Sequence, residues 1–262
     1  MGAPMSRLKQ EIVLASMAPG EGHIASAFSV LDILWVLYDR VLRYDARDPD
    51  WTGRDRLVLS KGHASLALYA VLAEKGFFPA AELKSFATRG SRLGGHPDCT
   101  KVPGVEASTG SLGHGLPISV GIALALRMRS IDRRVYVIVG DGECNEGSIW
   151  ESALLAAHHH LSNLTCIVDY NHSTDRALLM GDMTAKFDAF GWAPTAVDGH
   201  KHDEIYSALA HPDPTRPSVV VARTIKGFGC RDMENNPAWH HRAPTVQELP
   251  MILEELACAS SL

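Results

Sequence analysis

Two runs of this chain are apolar almost without interruption: Val135-Tyr136-Val137-Ile138-Val139 and Leu164-Thr165-Cys166-Ile167-Val168. A strand with one wet face alternates apolar and polar residues. Continuous runs therefore predict strands covered on both faces, as in a parallel sheet with helical crossovers. Shorter signals of the same kind predict strands at 56–60, 193–197 and 218–222. Between them, apolar residues at helical spacing predict helices at 8–17, 26–42, 64–74, 117–128, 148–160, 184–190, 202–210 and 246–257. Strand and helix alternate along most of the chain. The fold class expected is α/β, a doubly wound, mostly parallel sheet with helices on both faces. Segment 45–54 is polar and reads as loop, whereas 91–115 is irregular and rich in glycine. In a chain that otherwise packs well, such a loop is expected to wrap a ligand.

Composition changes the picture in a few places. At 262 residues, 46% of them hydrophobic, the chain can bury one large core, and 1–262 is expected to be a single domain. A formal net charge of -5 leaves no basic stripe and argues against nucleic acid as a partner. No apolar run reaches membrane-spanning length, and residues 1–10 lack the pattern of a signal peptide. The five cysteines are scattered without a CxxC pair, which predicts a cytoplasmic chain with neither disulfide scaffold nor zinc site. His158, His159 and His160 are consecutive, so on a helix they spread around the axis, and they are assigned no metal role.

The candidate chemistry gathers just after the strands. Gly140-Asp141-Gly142 follows the first apolar run, and Asp169-Tyr170-Asn171 closes the second. In sheets of this kind ligands bind beyond the carboxyl ends of the strands. Asp141 and Asn171 are therefore expected at neighbouring strand ends, facing one crevice. A carboxylate and an amide carbonyl are hard oxygen donors, suited to Mg²⁺ or Ca²⁺ that also holds a diphosphate. Gly140 and Gly142 let backbone N–H groups come close to phosphate oxygens. His63 stands after the strand at 56–60 and a glycine, which puts it on the same side of the sheet.

As a set these residues resemble the metal–diphosphate signature of thiamine diphosphate enzymes. Nearly the whole chain is similar to the N-terminal, diphosphate-binding half of transketolase, above all to the N-terminal subunit of two-component (split) transketolases. The resemblance is carried by Gly22-His23, Leu59-Ser60-Lys61-Gly62-His63-Ala64, Gly95-His96-Pro97, Ser108-Thr109-Gly110-Ser111-Leu112-Gly113, the 140–147 turn, Asp169-Tyr170-Asn171, and Thr224-Ile225-Lys226-Gly227 followed by Trp239-His240. It implies thiamine diphosphate and Mg²⁺ or Ca²⁺ as cofactors, and transfer of a two-carbon ketol unit between ketose and aldose substrates. By position it implies that Asp141, Asn171 and the backbone carbonyl of Ser173 hold the metal ion. Gly142, His63 and His240 would contact the diphosphate, with Gly140 in the same turn. Gly110, Ser111 and Leu112 would line the cofactor, and His23, His63, His96 and His240 would surround the reacting sugar carbons. Glu146 would lie at the contact between subunits, near the glutamate that activates the cofactor.

In that family the activating glutamate comes from a pyrimidine-binding domain. No second set of βα units follows here, so a partner chain carrying that domain is expected, in an α₂β₂ assembly. The helices around Trp35 and Trp150, with Glu146, are the surfaces expected beneath it. Glu21 and Glu143 are the carboxylates of this chain that would have to act in its place, but both belong to diphosphate-side loops. The chain also departs from the family pattern. Ile24-Ala25 follows His23 where Pro-Gly is common, His114 replaces a frequent Gln, His172-Ser173-Thr174-Asp175-Arg176 replaces a more apolar run, and His241 stands where Gly is frequent. The alternatives are a thiamine diphosphate-dependent chain that uses pyruvate or another 2-keto donor in a biosynthetic pathway, or a non-catalytic paralogue. His96 and the other histidines favour a hydroxylated donor over the first, and the intact Asp141, Asn171 and His63 argue against the second.

Overall fold

Five strands, β1 (Arg56–Leu59), β2 (Val135–Gly140), β3 (Leu164–Tyr170), β4 (Ala193–Asp198) and β5 (Ser218–Arg223), form a wholly parallel sheet in the order β1-β2-β3-β5-β4. They belong to a computed structural model that describes residues 3–175 and 177–258. The helices are α1 (Ala3–Ser16), α2 (Ile24–Val36), α3 (Ser65–Glu74), α4 (Gly115–Met128), α5 (Gly147–His158), α6 (Met183–Ala189), α7 (His202–Ala210) and α8 (Leu249–Cys258).

The continuous apolar runs have a direct explanation in this arrangement. Along β2 and β3, Tyr136, Ile138 and Ile167 enter a core shared with α1, α2, α3, α7 and α8. Their neighbours Val137, Val139, Cys166 and Val168 enter a second core, against α4, α5 and α6. Successive side chains point to opposite faces, so both faces must be apolar. Burying each Val or Ile contributes roughly 1.5–3 kcal/mol. The doubly wound expectation is met.

Differences from expectation are local. The helix expected at 26–42 starts two residues earlier and leaves α geometry at Val36, widening into a π turn, Leu37–Val41, closed by the Leu42 N–H on the Leu37 carbonyl at 2.7 Å. Pro194 is tolerated in β4 because that strand is an edge, paired with β5 alone. No helix among the described residues is long and apolar enough to cross a membrane.

The glycine-rich loop at 91–115 is pinned rather than loose. Ser65 Oγ donates to the Gly95 carbonyl (2.9 Å), and Thr109 Oγ1 donates to the Leu59 carbonyl at the end of β1 (2.7 Å). The Tyr69 hydroxyl sits between the Gly94 and His96 carbonyls, at 3.0 and 3.1 Å. The loop lies so close to β1 that a Cβ on Gly62 would meet the backbone of Thr109 and Gly110 at 2.8 Å. Gly62→Ala should therefore cost about 1–3 kcal/mol of stability, as overpacking does. An unchanged midpoint of thermal unfolding would show that the loop is not held against the strand in this way.

Candidate active site

The strand ends converge on one buried carboxylate. Asp169 of β3 has 0% exposure, and its Oδ2 accepts from Ser29 Oγ of α2 (2.6 Å) and from the ammonium of Lys61, just beyond β1. Its Oδ1 accepts from the Thr224 hydroxyl, just beyond β5. Lys61 is equally buried. Removing two charges from water costs several kcal/mol per ion, so such a pair persists only where further hydrogen bonds complete it. Ser29 has a second role: its Oγ accepts from Asn171 Nδ2 at 3.2 Å, which leaves the Asn171 amide oxygen for the donor-only Ser173 N–H. That oxygen, Oδ1, receives the Ser173 N–H at 3.1 Å and also the Ser173 hydroxyl.

Asp141 and Asn171 leave adjacent strands at the same end, since Gly140 and Asp169 are paired in register. Asp141 is buried, yet its charge is poorly compensated. Oδ1 accepts from the Gly142 N–H at 2.8 Å, while among the described residues Oδ2 has only a distant Thr174 N–H at 3.5 Å. Burial consequently raises its pKa above the ordinary carboxylate range. An under-compensated buried carboxylate beside an amide oxygen is a donor set that a hard divalent cation fits. Among the described residues, no group of three or more His, Cys, Asp or Glu side chains gathers as a softer metal would require.

Glu143 serves another purpose. It is buried at the foot of the turn after β2, accepting from Ser60 Oγ, from the Gly113 N–H (2.9 Å) and from the Gly140 N–H (3.1 Å). Ser60 Oγ in turn accepts the Gly115 N–H at the start of α4 (3.0 Å). One carboxylate thus ties β1, β2 and the loop at 108–115 together. With three donors it is a fixed strut.

Above this floor stand the histidines. The His23 ring lies 5.1 Å from that of His63, 5.3 Å from that of His240 and 4.3 Å from that of His241, centroid to centroid. The segment carrying His240 and His241 is laced to the one carrying His23 by the Arg242 N–H on the Gly22 carbonyl (3.1 Å). His96 packs on Gly110, whose φ of +145° and missing side chain make room for the ring. Lys226 Nζ lies 2.9 Å from His240 Nδ1, and both line a cleft of about 440 Å³ with Asn171, Ser173 and Asn236. Burial, then the neighbouring imidazoles and Lys226, holds the His23 pKa down at about 3. Burial and the Lys61 ammonium depress His63 as well, and burial and Lys226 depress His240. At neutral pH these rings are uncharged, so each can donate at one nitrogen and accept at the other.

The remaining expected residues are more exposed. Ser111 and Leu112 sit on the open side of the loop, and Glu146 is exposed beside Gly113. His114 turns its Nδ1 back to the Leu112 carbonyl at 3.1 Å. Of the run at 172–176, Arg176 lies outside the described residues. The expectation for Trp35 needs correction. Twelve of the thirteen α2 residues are buried, and Trp35 itself is half-buried with the Lys75 ammonium 4.0 Å from its ring centroid. That helix has little surface to offer. Apolar side chains are exposed on α4 and α5, at Ile118, Met128, Leu154 and Leu155, as they are elsewhere at Leu14, Leu178, Leu179, Val246 and Met251. Sequence reasoning also gave no role to Ser29, Lys61, Asp169, Thr224 or Lys226. The signal available was a charge inside, or directly after, an otherwise apolar strand.

The sheet, the oxygen donors at its strand ends and the histidines above them define an α/β domain that takes its ligand beyond the carboxyl ends of its strands. The family model described as transketolase, thiamine diphosphate binding domain, matches residues 12–251, and the chain belongs to that family. It is 40% identical over 251 residues to an apulose-4-phosphate transketolase subunit of Actinobacillus succinogenes, covering 94% of this chain and 91% of the relative. It is 39% identical over 244 residues to a 6-deoxy-6-sulfo-D-fructose transketolase subunit of Clostridium sp. (strain MSTE9), covering 90% and 89%. Its fold superposes on the transketolase of Campylobacter jejuni with a TM-score of 0.88 at 30% identity, over 97% of this chain but 42% of that one. It thus matches separate subunits nearly end to end and spans about two fifths of a whole transketolase.

Proposed function

We propose that this chain, as one diphosphate-type domain, works with a second chain carrying a pyrimidine-binding domain to move a two-carbon ketol unit from a ketose to an aldose. The observation that carries this reading is the set of neutral imidazoles, His23, His63 and His240, above a hard-oxygen pair at the same strand ends. Thiamine diphosphate, when bound, supplies the carbanion and the electron sink for C–C cleavage. Asp141, Asn171 and the Ser173 carbonyl would hold Mg²⁺ or Ca²⁺, with Gly140, Gly142, His63 and His240 toward the diphosphate and Gly110, Ser111 and Leu112 along the cofactor. His23, His63, His96 and His240 then bind sugar hydroxyls and shuttle protons, work for which a neutral imidazole is suited. Two relatives named as transketolase subunits support the two-chain reading. We propose an α₂β₂ assembly, with Glu146 at the contact and the exposed apolar side of α4 and α5 beneath the partner. Five unpaired cysteines are in keeping with a cytoplasmic setting.

His96→Ala tests the substrate class. In the assembled pair it should lower kcat for a hydroxylated ketose by about 100-fold, the scale of one lost acid–base group, while leaving cofactor affinity unchanged. Pyruvate proving the better donor, with a rate indifferent to the substitution, would overturn the ketol reading.

A further inference from the structure

A second histidine cluster lies behind the site. Asp32 is the one carboxylate on the apolar helix α2 and is buried. It receives His200 Nδ1 at 2.9 Å on one oxygen and His202 Nε2 at 2.8 Å on the other. Burial opposes its charge, but the two histidine hydrogen bonds and the field of Lys9 bring its pKa down to about 2. An ionised carboxylate only accepts, so His200 Nδ1 carries a proton. On the far side of the ring, His200 Nε2 accepts the Ile225 N–H at 2.9 Å. A ring nitrogen that accepts has no hydrogen, so both bonds together fix His200 as the neutral Nδ1–H tautomer. The ring is also stacked on Phe228, with centroids 3.6 Å apart and planes at 16°.

The acceptor matters because Ile225 sits in a turn that leads straight into the site. The 224–227 turn is held by the Thr224 N–H on the Tyr170 carbonyl (3.0 Å), the Thr224 hydroxyl on Asp169 and the Gly227 N–H on the Ala25 carbonyl (2.9 Å). Between these anchors the Ile225 N–H rests on His200, and the next residue is Lys226, whose ammonium meets His240. We infer that His200 is a positioning residue for the proposed reaction: through the Ile225 N–H it sets the turn that aims Lys226 at His240. The inference rests on the proposed function for its catalytic consequence, but the geometry it asserts belongs to the chain alone.

Two substitutions separate the ring's two bonds. His200→Gln places an amide oxygen where Nε2 lies and keeps the acceptor for Ile225. His200→Asn places an amide nitrogen where Nδ1 lies and keeps the contact with Asp32. The assembled pair should keep parental kcat with His200→Gln and lose roughly 10- to 100-fold with His200→Asn, the cost of a small misplacement. The second readout is the imidazole titration of His240, followed by NMR in the cofactor-free chain. His240 is faced by Lys226, His23 and His241, with Lys61 below. Its pKa should rise toward the free value of about 6.5 in His200→Asn, as Lys226 withdraws, and stay put in His200→Gln. His202→Asn, which disturbs Asp32 without touching Ile225, should leave both readouts unchanged. The reverse ranking of Gln and Asn, or equal kcat and equal His240 titration in all three, would overturn the inference. A wild-type pair inactive on every ketose would refute the proposed reaction, and the His240 titration would still decide the geometry.

Discussion

Assayed alone, with saturating thiamine diphosphate and Mg²⁺, this polypeptide is expected to transfer no ketol units, and turnover should appear when the proposed chain with the pyrimidine-binding domain is added. Two of the buried carboxylates around the site are already engaged, and the third, Asp141, is the one proposed to hold the metal ion. Asp169 holds Lys61, Ser29 and Thr224, and Glu143 holds Ser60, Gly113 and Gly140. Glu21 stands at the rim, 3.9 Å from His241. A missing general base is worth roughly 10²–10⁴ in rate. Ile118, Leu154, Leu155 and Glu146 are exposed, as the proposed contact with a second chain requires. Turnover by the chain alone, once contaminating host transketolase is excluded, would refute the two-chain reading.

Asp141→Asn should separate stability from function. The folded-state pKa of Asp141 is raised, so the fold favours the protonated carboxyl, and its charge costs stability above that pKa. That cost disappears as pH falls through the folded pKa. The neutral amide removes it at every pH, so the metal-free variant should melt higher than the parent at pH 7, with the gap closing in acid. Every 1 kcal/mol moves the midpoint by about 2–4 °C in a chain of this size. Metal-dependent cofactor retention should meanwhile weaken by roughly 100-fold or more, beyond the 10–100-fold expected from losing an outer-shell partner. Mg²⁺ with cofactor should raise the melting point of the parent only. Equal cofactor affinity with and without a chelator would remove the metal from the proposal.

The parts of the fold and site that could be read from sequence were those with local signatures. The runs at 135–139 and 164–168 read as strands buried on both faces, and position at a strand end, with a glycine before Asp141 and His63, pointed Asp141, Asn171 and His63 to the ligand side. The support beneath them could not be read this way. Lys61 and Asp169 are far apart in sequence, as are Asp32 and His200, and a charge in or beside an apolar element marks a buried ion without naming its partner. Only the folded sheet brings them together. Trp35 misled for a related reason: an apolar helix announces burial, but not whether its own chain or another supplies the cover.

The three donors on Asp169 come from Ser29, Lys61 and Thr224, and the last lies beyond β5, the strand that inserts between β3 and β4. The topology therefore imposes an order of assembly on a chain made from its N-terminus. Its first four strands can be complete while the central carboxylate still lacks a partner and the sheet still has a gap beside β3. Lys226 and His240 emerge later still. No nascent chain that stops short of His240 contains the finished pocket, so the ability to hold a ligand there arrives only after the final strand and reports that the sheet is complete.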